Sequence, residues 1–271
     1  MILSGKTILI TGGSSGIGEA VARAAGAAGA KVVLLARDAA ALASVAAAIE
    51  KDGGSARFYS VDLSDAGAAA TTCVRIAHDV GVPDVVVNNA GAGRWLYLDE
   101  TRTAEAVQMM AVPYFAALAV TSAFLPGMLQ RGSGAIVNVT SPAAFLPWPG
   151  ATAYTAARWA MRGFSEALRA DLHRTPIRVM LAVLAQVDSP YWQHNPGSAE
   201  RIPRVQALIP RLTSEQAGQV IVRGLVRDHS DVVAPVMLRI LLFLGRLFPA
   251  ISRGLVYRTG HRRRSPAPDE R

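Results

Sequence analysis

The chain has 271 residues, of which 51% are hydrophobic and 18% are charged, and it contains a single cysteine, Cys73. This length and composition predict one large domain with a sizeable core, and they exclude an internal disulfide framework. Most of the formal net charge of +8 comes from residues 232–268, which contain seven arginines and no acidic residue.

Segments typical of strands alternate with segments typical of helices along the chain. This alternation predicts an α/β fold with a parallel sheet. One domain is expected over residues 1–231, followed by a basic extension over 232–271. No cysteine or histidine cluster has metal-ligand spacing, and no signal peptide precedes the first strand, so a cytoplasmic protein without a metal site is expected. The predicted strands lie near 7–11, 31–36, 56–60, 84–88, 134–139, 177–183 and 231–234.

A glycine-rich turn follows the first predicted strand. Residues 7–10 lead into Thr11-Gly12-Gly13-Ser14-Ser15-Gly16-Ile17-Gly18, and an alanine-rich helix is expected next. Glycines at a strand-to-helix turn let the backbone approach a pyrophosphate, which then lies at the helix N-terminus. The turn therefore predicts a dinucleotide site, with contacts from Gly12, Ser14, Ser15, Gly16, Ile17 and Gly18.

The end of the second predicted strand indicates which dinucleotide binds. An acidic residue there would bind the ribose 2′-hydroxyl of NAD and repel a 2′-phosphate. Ala36 occupies that position, and Arg37 follows it. Hydrogen bonds between a guanidinium and a phosphate are each worth about 1.5–3 kcal/mol, so Arg37 predicts NADP(H) in preference to NAD(H). The alternative is that Arg37 is a solvated loop residue and that Asp38 binds the ribose.

A second group of polar residues lies between Ser141 and Arg158. Tyr154 and Arg158 are four residues apart, which places a phenol and a cation about one turn apart on one helix face. A fixed positive charge beside a phenol favours its ionised form. A hydroxyl on a separate strand end, here that of Ser141, can hydrogen-bond the same substrate oxygen. These groups can move a proton to or from an alcohol while a cofactor moves the hydride.

Several motifs occur together in a recognisable order and spacing over roughly residues 4–190. They are Thr11-Gly12 to Gly16-Ile17-Gly18, Asp62-Leu63, Asn88-Asn89-Ala90-Gly91, Ile136-Val137-Asn138-Val139-Thr140-Ser141, and Tyr154 with its following helix. With them the chain resembles a short-chain dehydrogenase/reductase. The resemblance implies a doubly wound, Rossmann-type parallel sheet that carries NAD or NADP. It also implies a small-molecule carbonyl or alcohol substrate and a homo-oligomer.

The resemblance also implies roles for individual residues. In the family a serine positions the substrate oxygen, a tyrosine is the acid–base, and a lysine four residues later assists the tyrosine and holds the nicotinamide ribose. These roles fall to Ser141, Tyr154 and, in place of the lysine, Arg158. Asp62 is placed like the family residue that binds the adenine edge. Further cofactor contacts are implied for Leu63, Asn89, Ala90, Gly91, Tyr154, Arg158 and Val187.

Three positions depart from the family pattern, and all three belong to its active site or nicotinamide pocket. Arg158 keeps the charge of the expected lysine, but its planar fork is larger. Pro113 replaces an expected asparagine, and it is expected to kink its helix and to free the carbonyl four residues earlier. Leu184-Ala185 replace an expected Pro-Gly pair, and alanine lacks the conformational freedom of glycine.

These departures leave two functional interpretations open. The first is an NADP(H)-dependent oxidoreductase acting on a carbonyl/alcohol pair, which the intact Ser141 and Tyr154 favour. The second is a nucleotide-binding protein that keeps the fold but has lost turnover, which Arg158, Pro113 and Leu184-Ala185 favour.

The residues expected to face the substrate are mostly apolar, which predicts a hydrophobic ketone or alcohol such as a lipid-like or steroid-like molecule. Ordinary packing of these side chains is the alternative. In the family, the segment that holds the last of them is a mobile lid. The candidates are Arg94-Trp95, Phe145-Leu146-Pro147-Trp148 and Tyr191-Trp192.

The basic extension has an amphipathic pattern. Arg239, Arg246 and Arg253 recur every seven residues between apolar residues, and Pro249 predicts a break. The pattern is interrupted too often to span a bilayer, but it favours contact of residues 232–264 with an anionic membrane surface. A cover over the substrate pocket and a dimer contact are alternatives. A disordered basic tail is predicted from His261, and nucleic-acid binding is not favoured because no recognition motif is present.

Overall fold

The computed structural model describes residues 1–263, so the predicted basic tail lies largely outside the described residues. The strands are β1 (Thr7–Thr11), β2 (Lys31–Ala36), β3 (Ser55–Ser60), β4 (Val85–Asn88), β5 (Gly134–Thr140), β6 (Ile177–Leu184), β7 (Val187–Asp188), β8 (Leu212–Thr213) and β9 (Asp231–Ala234). Seven of them form one parallel sheet in the order β3-β2-β1-β4-β5-β6-β9, and β7 pairs with β8 separately. The predicted α/β fold with a doubly wound parallel sheet is confirmed.

The helices cover both faces of the large sheet. They are α1 (Gly16–Ala27), α2 (Ala39–Lys51), α3 (Ala66–Val80), α4 (Thr103–Met110), α5 (Ala116–Arg131), α6 (Thr152–Asp171), α7 (Tyr191–His194), α8 (Ser214–Val226), α9 (Val236–Leu247) and α10 (Pro249–Thr259). One apolar cluster joins the sheet to α1, α2 and α8, and another joins it to α3, α5 and α6. Because both faces are covered, central strands such as β4 and β5 are buried at every position.

The helical segment that contains Pro113 is broken, as predicted. A π-helical stretch (Ala111–Phe115) separates α4 from α5, and the backbone of Val112 leaves the helical region with φ −129° and ψ 94°. The carbonyl of Val112 accepts a hydrogen bond from the N–H of Ala92 (3.2 Å). The predicted break in the helix is confirmed. The carbonyl expected to be free was that of Met109, whereas the carbonyl that accepts a bond from outside the helix is that of Val112.

The same segment, Thr103–Arg131, is by length and composition apolar enough to cross a membrane. Its C-terminal part nevertheless belongs to the core, because Phe124 and Met128 of α5 are fully buried against the sheet and α3. We therefore describe α5 as a core helix.

The boundary expected between residues 231 and 232 is wrong. It falls inside β9, the edge strand that pairs with β6 along Asp231–Ala234. The extension therefore begins after Ala234, with α9 and α10. Neither helix is detached: Leu238 and Leu242 of α9 are buried beside β6, and Val256 of α10 belongs to the buried cluster that contains Trp95.

Candidate active site

Two connected cavities lie at the carboxyl ends of the strands, where β1 and β4 are neighbours and the chain order in the sheet reverses. Ligands bind at such switch points in open α/β sheets. The larger cleft has a volume of about 930 Å³. The smaller cavity has a volume of about 130 Å³ and contains the predicted catalytic residues. Ile17, Asn89 and Gly91 line both, so a single bound molecule can extend from one into the other.

The turn after β1 is held in place by the loop after β4. The hydroxyl oxygen of Thr11 accepts hydrogen bonds from the N–H groups of Asn89 and Ala90, both at 3.0 Å. The Asn89 amide donates in turn to the Thr11 carbonyl (3.0 Å) and to the Gly12 carbonyl (3.3 Å). Gly12 has a φ of +66°, and a Cβ there would lie 3.0 Å from the Ala90 backbone. Only glycine fits this close approach.

The N-terminus of α1 faces the cleft. Its N-cap residue, Ser15, makes no side-chain capping bond, so the first N–H groups of α1 are not satisfied by that side chain. Ser14, Ser15, Gly16 and Ile17, four of the residues predicted to contact the cofactor, line the cleft. Gly18 does not: a Cβ at this position would lie 2.0 Å from the Gly12 carbonyl oxygen, so it lets α1 pack under the turn. The backbone of the turn fits a pyrophosphate.

The ribose end of the cleft is formed by the loops after β2 and β3. Arg37 is exposed and lines the cleft, together with Asp38, Asp62 and Leu63. One oxygen of Asp38 caps α2 by accepting from the N–H of Ala41 (2.9 Å). Hydrogen bonds from the backbone and side chain of Ser64 hold the pKa of Asp62 below its usual value, and the nearby charge of Arg37 acts in the same direction.

The predicted trio of Ser141, Tyr154 and Arg158 lines the smaller cavity. Ser141 follows β5 and caps a short 3-10 turn (Pro142–Ala144), and its hydroxyl oxygen accepts from the N–H of Ala143 (3.2 Å). Its hydroxyl hydrogen therefore remains available to a ligand. Tyr154 and Arg158 lie on α6 and are buried, with exposed fractions of 6% and 7%.

The guanidinium of Arg158 stacks on the Tyr154 ring, with its Cζ 4.8 Å from the ring centroid. It also lies against Gly91, where a Cβ would be 2.9 Å from its Nη2. Within residues 1–263 Arg158 has no ion-pair partner, and its buried Nε has no hydrogen-bond acceptor. Burying a cation without a partner costs free energy. Such a cation is typical of a group that receives its partner from a ligand.

A buried polar network fixes α6 against the sheet. The Asn88 amide donates to Asn138 (2.8 Å) and to Thr121 (3.0 Å), and the Asn138 amide donates to Ser165 of α6 (2.9 Å). Near the site, the Trp159 indole of α6 donates to the Ala143 carbonyl at 2.8 Å. These bonds set the position of Tyr154 relative to the turn that carries Ser141.

The segment after β6 replaces the expected Pro-Gly pair without opening the site. Leu184, Ala185 and Val187 all line the smaller cavity. The N–H of Ala185 donates to the Ala234 carbonyl of β9 (2.9 Å), so this residue continues the sheet pairing. The backbone here is held by hydrogen bonds rather than by the special conformations of glycine.

Aromatic rings form the substrate side of the smaller cavity. Trp95 is central, with ring centroids 4.9 Å from Trp148, 5.3 Å from Tyr154 and 5.6 Å from Trp192. Other predicted substrate-facing residues lie elsewhere. Arg94 lines the nucleotide cleft and pairs with Glu105. Phe145 and Leu146 pack beside α9 and do not line the cavity, nor does Pro147.

The segment around α7 closes over the site through polar contacts with the loop after β4. The Tyr191 hydroxyl donates to the Gly93 carbonyl (2.5 Å), the Gly93 N–H donates to Asn195 (3.2 Å), and the Trp95 N–H donates to Ser198 (2.9 Å). Burial and the proximity of Tyr154 raise the pKa of Tyr191. Tyr191 therefore remains a neutral hydrogen-bonding group beside Tyr154.

Three of these structural residues escaped sequence reasoning. Thr11 belongs to the glycine motif, which gives no sign that its hydroxyl joins β1 to the loop after β4. Asn195 and Ser198 have no local signal, because their partners lie about a hundred residues earlier in the chain.

Comparison with known proteins agrees with this geometry. The family model described as short chain dehydrogenase matches residues 6–198. An uncharacterized oxidoreductase of Mycobacterium tuberculosis is 36% identical over 238 residues, which cover 86% of this chain and 67% of that protein. A fatty acyl-CoA reductase of Acinetobacter baylyi is 30% identical over 269 residues, which cover 93% of this chain and 88% of that protein.

Solved structures show the same likeness. A metagenomic short-chain oxidoreductase in complex with NADP has a TM-score of 0.72 and 32% identity, and the match covers 86% of this chain and 98% of the other. The family match covers every residue that lines the larger cleft and all but Gln206 of those that line the smaller cavity. The chain therefore belongs to the short-chain dehydrogenase/reductase family of oxidoreductases, which act on small molecules with a nicotinamide cofactor.

Proposed function

We propose that the chain is an NADP(H)-dependent oxidoreductase that interconverts a hydrophobic carbonyl compound and its alcohol. The observation that carries the proposal is the position of Tyr154, which is buried in an aromatic cavity that continues into the nucleotide cleft. A proton-transfer group at this junction can reach a substrate oxygen while the cleft holds the cofactor.

The residues divide the work as follows in the reducing direction. The Ser141 hydroxyl donates a hydrogen bond to the substrate carbonyl oxygen, since its own oxygen already accepts from Ala143. Tyr154 transfers its phenolic proton to that oxygen, and the positive charge of Arg158 on its ring stabilises the phenolate that remains. The hydride would come from a nicotinamide held in the adjoining cleft. In the oxidising direction the proton returns to Tyr154.

The preference for NADP(H) rests on Arg37. Its side chain is exposed at the ribose end of the cleft, where it can bind a 2′-phosphate. One oxygen of Asp38 already caps α2, which leaves only its second oxygen for the ribose of NAD. The metagenomic relative of known structure was solved with NADP, which supports the same preference.

A hydrophobic substrate is supported by the four aromatic side chains that line the cavity in addition to Tyr154: Trp95, Trp148, Tyr191 and Trp192. The Acinetobacter relative is named for a reaction on fatty acyl-CoA, a substrate with a long apolar chain. The cavity of about 130 Å³ is smaller than a typical ligand pocket of about 300–1,000 Å³. The segment around α7 must therefore open for such a substrate to enter.

A non-catalytic nucleotide-binding protein is the second candidate. Arg158 stands where the family has a lysine, and its buried Nε has no acceptor within the described residues, which favours this candidate. Homo-oligomerisation and a cytoplasmic location, both expected from the sequence, remain predictions.

Titration with NADPH and with NADH, followed by nicotinamide fluorescence, tests the cofactor site first. We expect NADPH to bind at least about tenfold more tightly, the equivalent of 1.4 kcal/mol. Oxidation of NADPH is then followed with long-chain aldehydes and hydrophobic ketones, and with short polar carbonyls as the control. Binding of neither nucleotide contradicts both candidates, whereas binding without turnover on any of these compounds favours the second.

A further inference from the structure

The outer face of α9 is a continuous apolar stripe. Its members are spaced by three, four and seven residues, so they lie on one side of the helix. Their exposed fractions range from 42% to 72%, which is high for large apolar side chains. They are Val236, Met237, Ile240, Phe243, Leu244 and Leu247.

The stripe continues around the corner that Pro249 makes between the two helices. Phe248, Ile251 and Leu255 are exposed by 53%, 70% and 45%. We call the outer sides of α9 and α10 together the α9–α10 face. Exposed apolar surface of this extent marks an interaction site rather than scattered surface residues.

The opposite side of both helices is firmly packed, so the exposure of this face is not a result of loose attachment. Leu238 and Leu242 of α9 are 2% and 8% exposed, and Val256 of α10 is 8% exposed. Val256 joins the aromatic cluster that contains Trp95 and Tyr154. The α9–α10 face therefore lies one helix layer outside the candidate substrate cavity.

Unpaired arginines border the apolar stripe. Within residues 1–263, Arg239, Arg246, Arg253 and Arg258 form no ion pair with a carboxylate. Arg263, by contrast, pairs with Asp99 at 2.8 Å. No acidic residue occurs from 232 to 268. A face that combines large apolar side chains with cations and no anion is complementary to an anionic lipid surface.

A second copy of the chain fits this face poorly. In a two-fold dimer the same patch meets itself. Two α9–α10 faces would bring the unpaired arginines of both copies together without a carboxylate to neutralise them. The eight residues 264–271, which follow the described range, contain no large apolar side chain.

We infer that the α9–α10 face docks the protein on an anionic lipid bilayer. The apolar stripe enters the headgroup boundary, and the arginines meet lipid phosphates. Docking in this orientation places the aromatic cavity next to the membrane, from which a hydrophobic substrate can reach it. The docking itself does not depend on the proposed function, because lipid binding requires neither cofactor nor turnover.

The test is co-sedimentation of the full chain with vesicles of phosphatidylcholine alone or mixed with phosphatidylglycerol. We expect binding to the anionic vesicles and at least about tenfold weaker binding to the neutral ones. The double variant Phe243→Ser/Ile251→Ser should lose at least about tenfold in binding, since it removes two large apolar contacts. Arg239→Gln/Arg253→Gln should lose about fivefold for each arginine.

The matched control is Phe58→Ser/Val74→Ser, which removes two exposed apolar side chains on β3 and α3. This variant should sediment with anionic vesicles like the unmodified chain. An equal loss of vesicle binding in Phe243→Ser/Ile251→Ser and in the control variant Phe58→Ser/Val74→Ser would overturn the inference. So would the absence of binding to either type of vesicle. So would a dimer in sedimentation velocity that Phe243→Ser/Ile251→Ser dissociates without changing vesicle binding. NADPH titration of the same variants separates this result from the proposed function.

Discussion

The nucleotide side and the reaction side of the site are built from different parts of the chain. On the nucleotide side, backbone groups and small residues shape the cleft, as at Gly12 and Gly18. On the reaction side, long side chains of α6 determine the chemistry, as at Tyr154 and Arg158. A backbone cradle tolerates few residue types, so its motif is complete here. A side chain on the reaction side can be exchanged without loss of the fold. All three departures from the family pattern lie on the reaction side.

Removing the Tyr154 hydroxyl should give the largest effect and should separate the two sides. General acid–base catalysis contributes about 10²–10⁴-fold, so Tyr154→Phe should lower kcat by that factor. The NADPH Kd should change far less than kcat, because Tyr154 is not among the residues that line the larger nucleotide cleft. Tyr257→Phe, at a tyrosine on α10 that is 52% exposed, is the control. A loss of kcat below about fivefold would mean that another group transfers the proton.

A methyl group added at Gly18 should lower both the stability of the protein and its affinity for NADPH. A methyl group added at Gly163 on α6 should lower neither. The Cβ of Gly18→Ala would lie 2.0 Å from the Gly12 carbonyl oxygen, so the turn must shift. We expect the free energy of unfolding to fall by about 3 kcal/mol and NADPH binding to weaken.

Gly163→Ala on α6 is the matched control. No heavy atom lies within 4 Å of a Cβ at Gly163, so helix propensity should raise the free energy of unfolding by about 1 kcal/mol. Urea denaturation of both variants measures the contrast. Equal destabilisation would show that the close packing of α1 under the turn is not what Gly18 provides.

Arg37→Ala should change cofactor preference within the nucleotide side alone. Loss of a charge-assisted bond to the 2′-phosphate should weaken NADPH binding by about 10-fold to 100-fold, with NADH binding unchanged. Arg57→Ala, at an exposed arginine of β3, is the control. An unchanged ratio of NADPH to NADH affinity would assign the ribose to Asp38 instead.

Much of this architecture could be predicted from the sequence. Buried parallel strands are continuous apolar runs such as Val85-Val86-Val87, so the strands of the large sheet agree with their predicted positions to within one residue at each end. The glycine turn and the spacing of Tyr154 and Arg158 are local patterns. The turn lines the larger cleft, and the side chains of Tyr154 and Arg158 lie together as their spacing predicts.

Contacts between distant segments could not be predicted. Asn195 and Ser198 bind the loop at Gly93 and Trp95, and nothing near them in sequence indicates these partners. The period of α9 predicts two faces, but not that one packs beside the cavity wall. The spacing in the sequence predicts that Arg158 lies on the same helix face as Tyr154. That the Nε of Arg158 has no acceptor within the described residues is visible only in the structure.

Arg158 gives the smallest expected effect and the sharpest comparison between fold and chemistry. Its guanidinium fills the space between the Tyr154 ring and Gly91. A lysine would lose the stacking, so Arg158→Lys should lower kcat by about tenfold. Arg158→Met removes an unpaired buried charge, so the free energy of unfolding should rise by about 1 kcal/mol while kcat falls further. A faster Arg158→Lys enzyme would instead mean that arginine is a poor substitute in this site. A destabilised Arg158→Met would make the residue structural, because a cation kept for chemistry should cost stability rather than supply it.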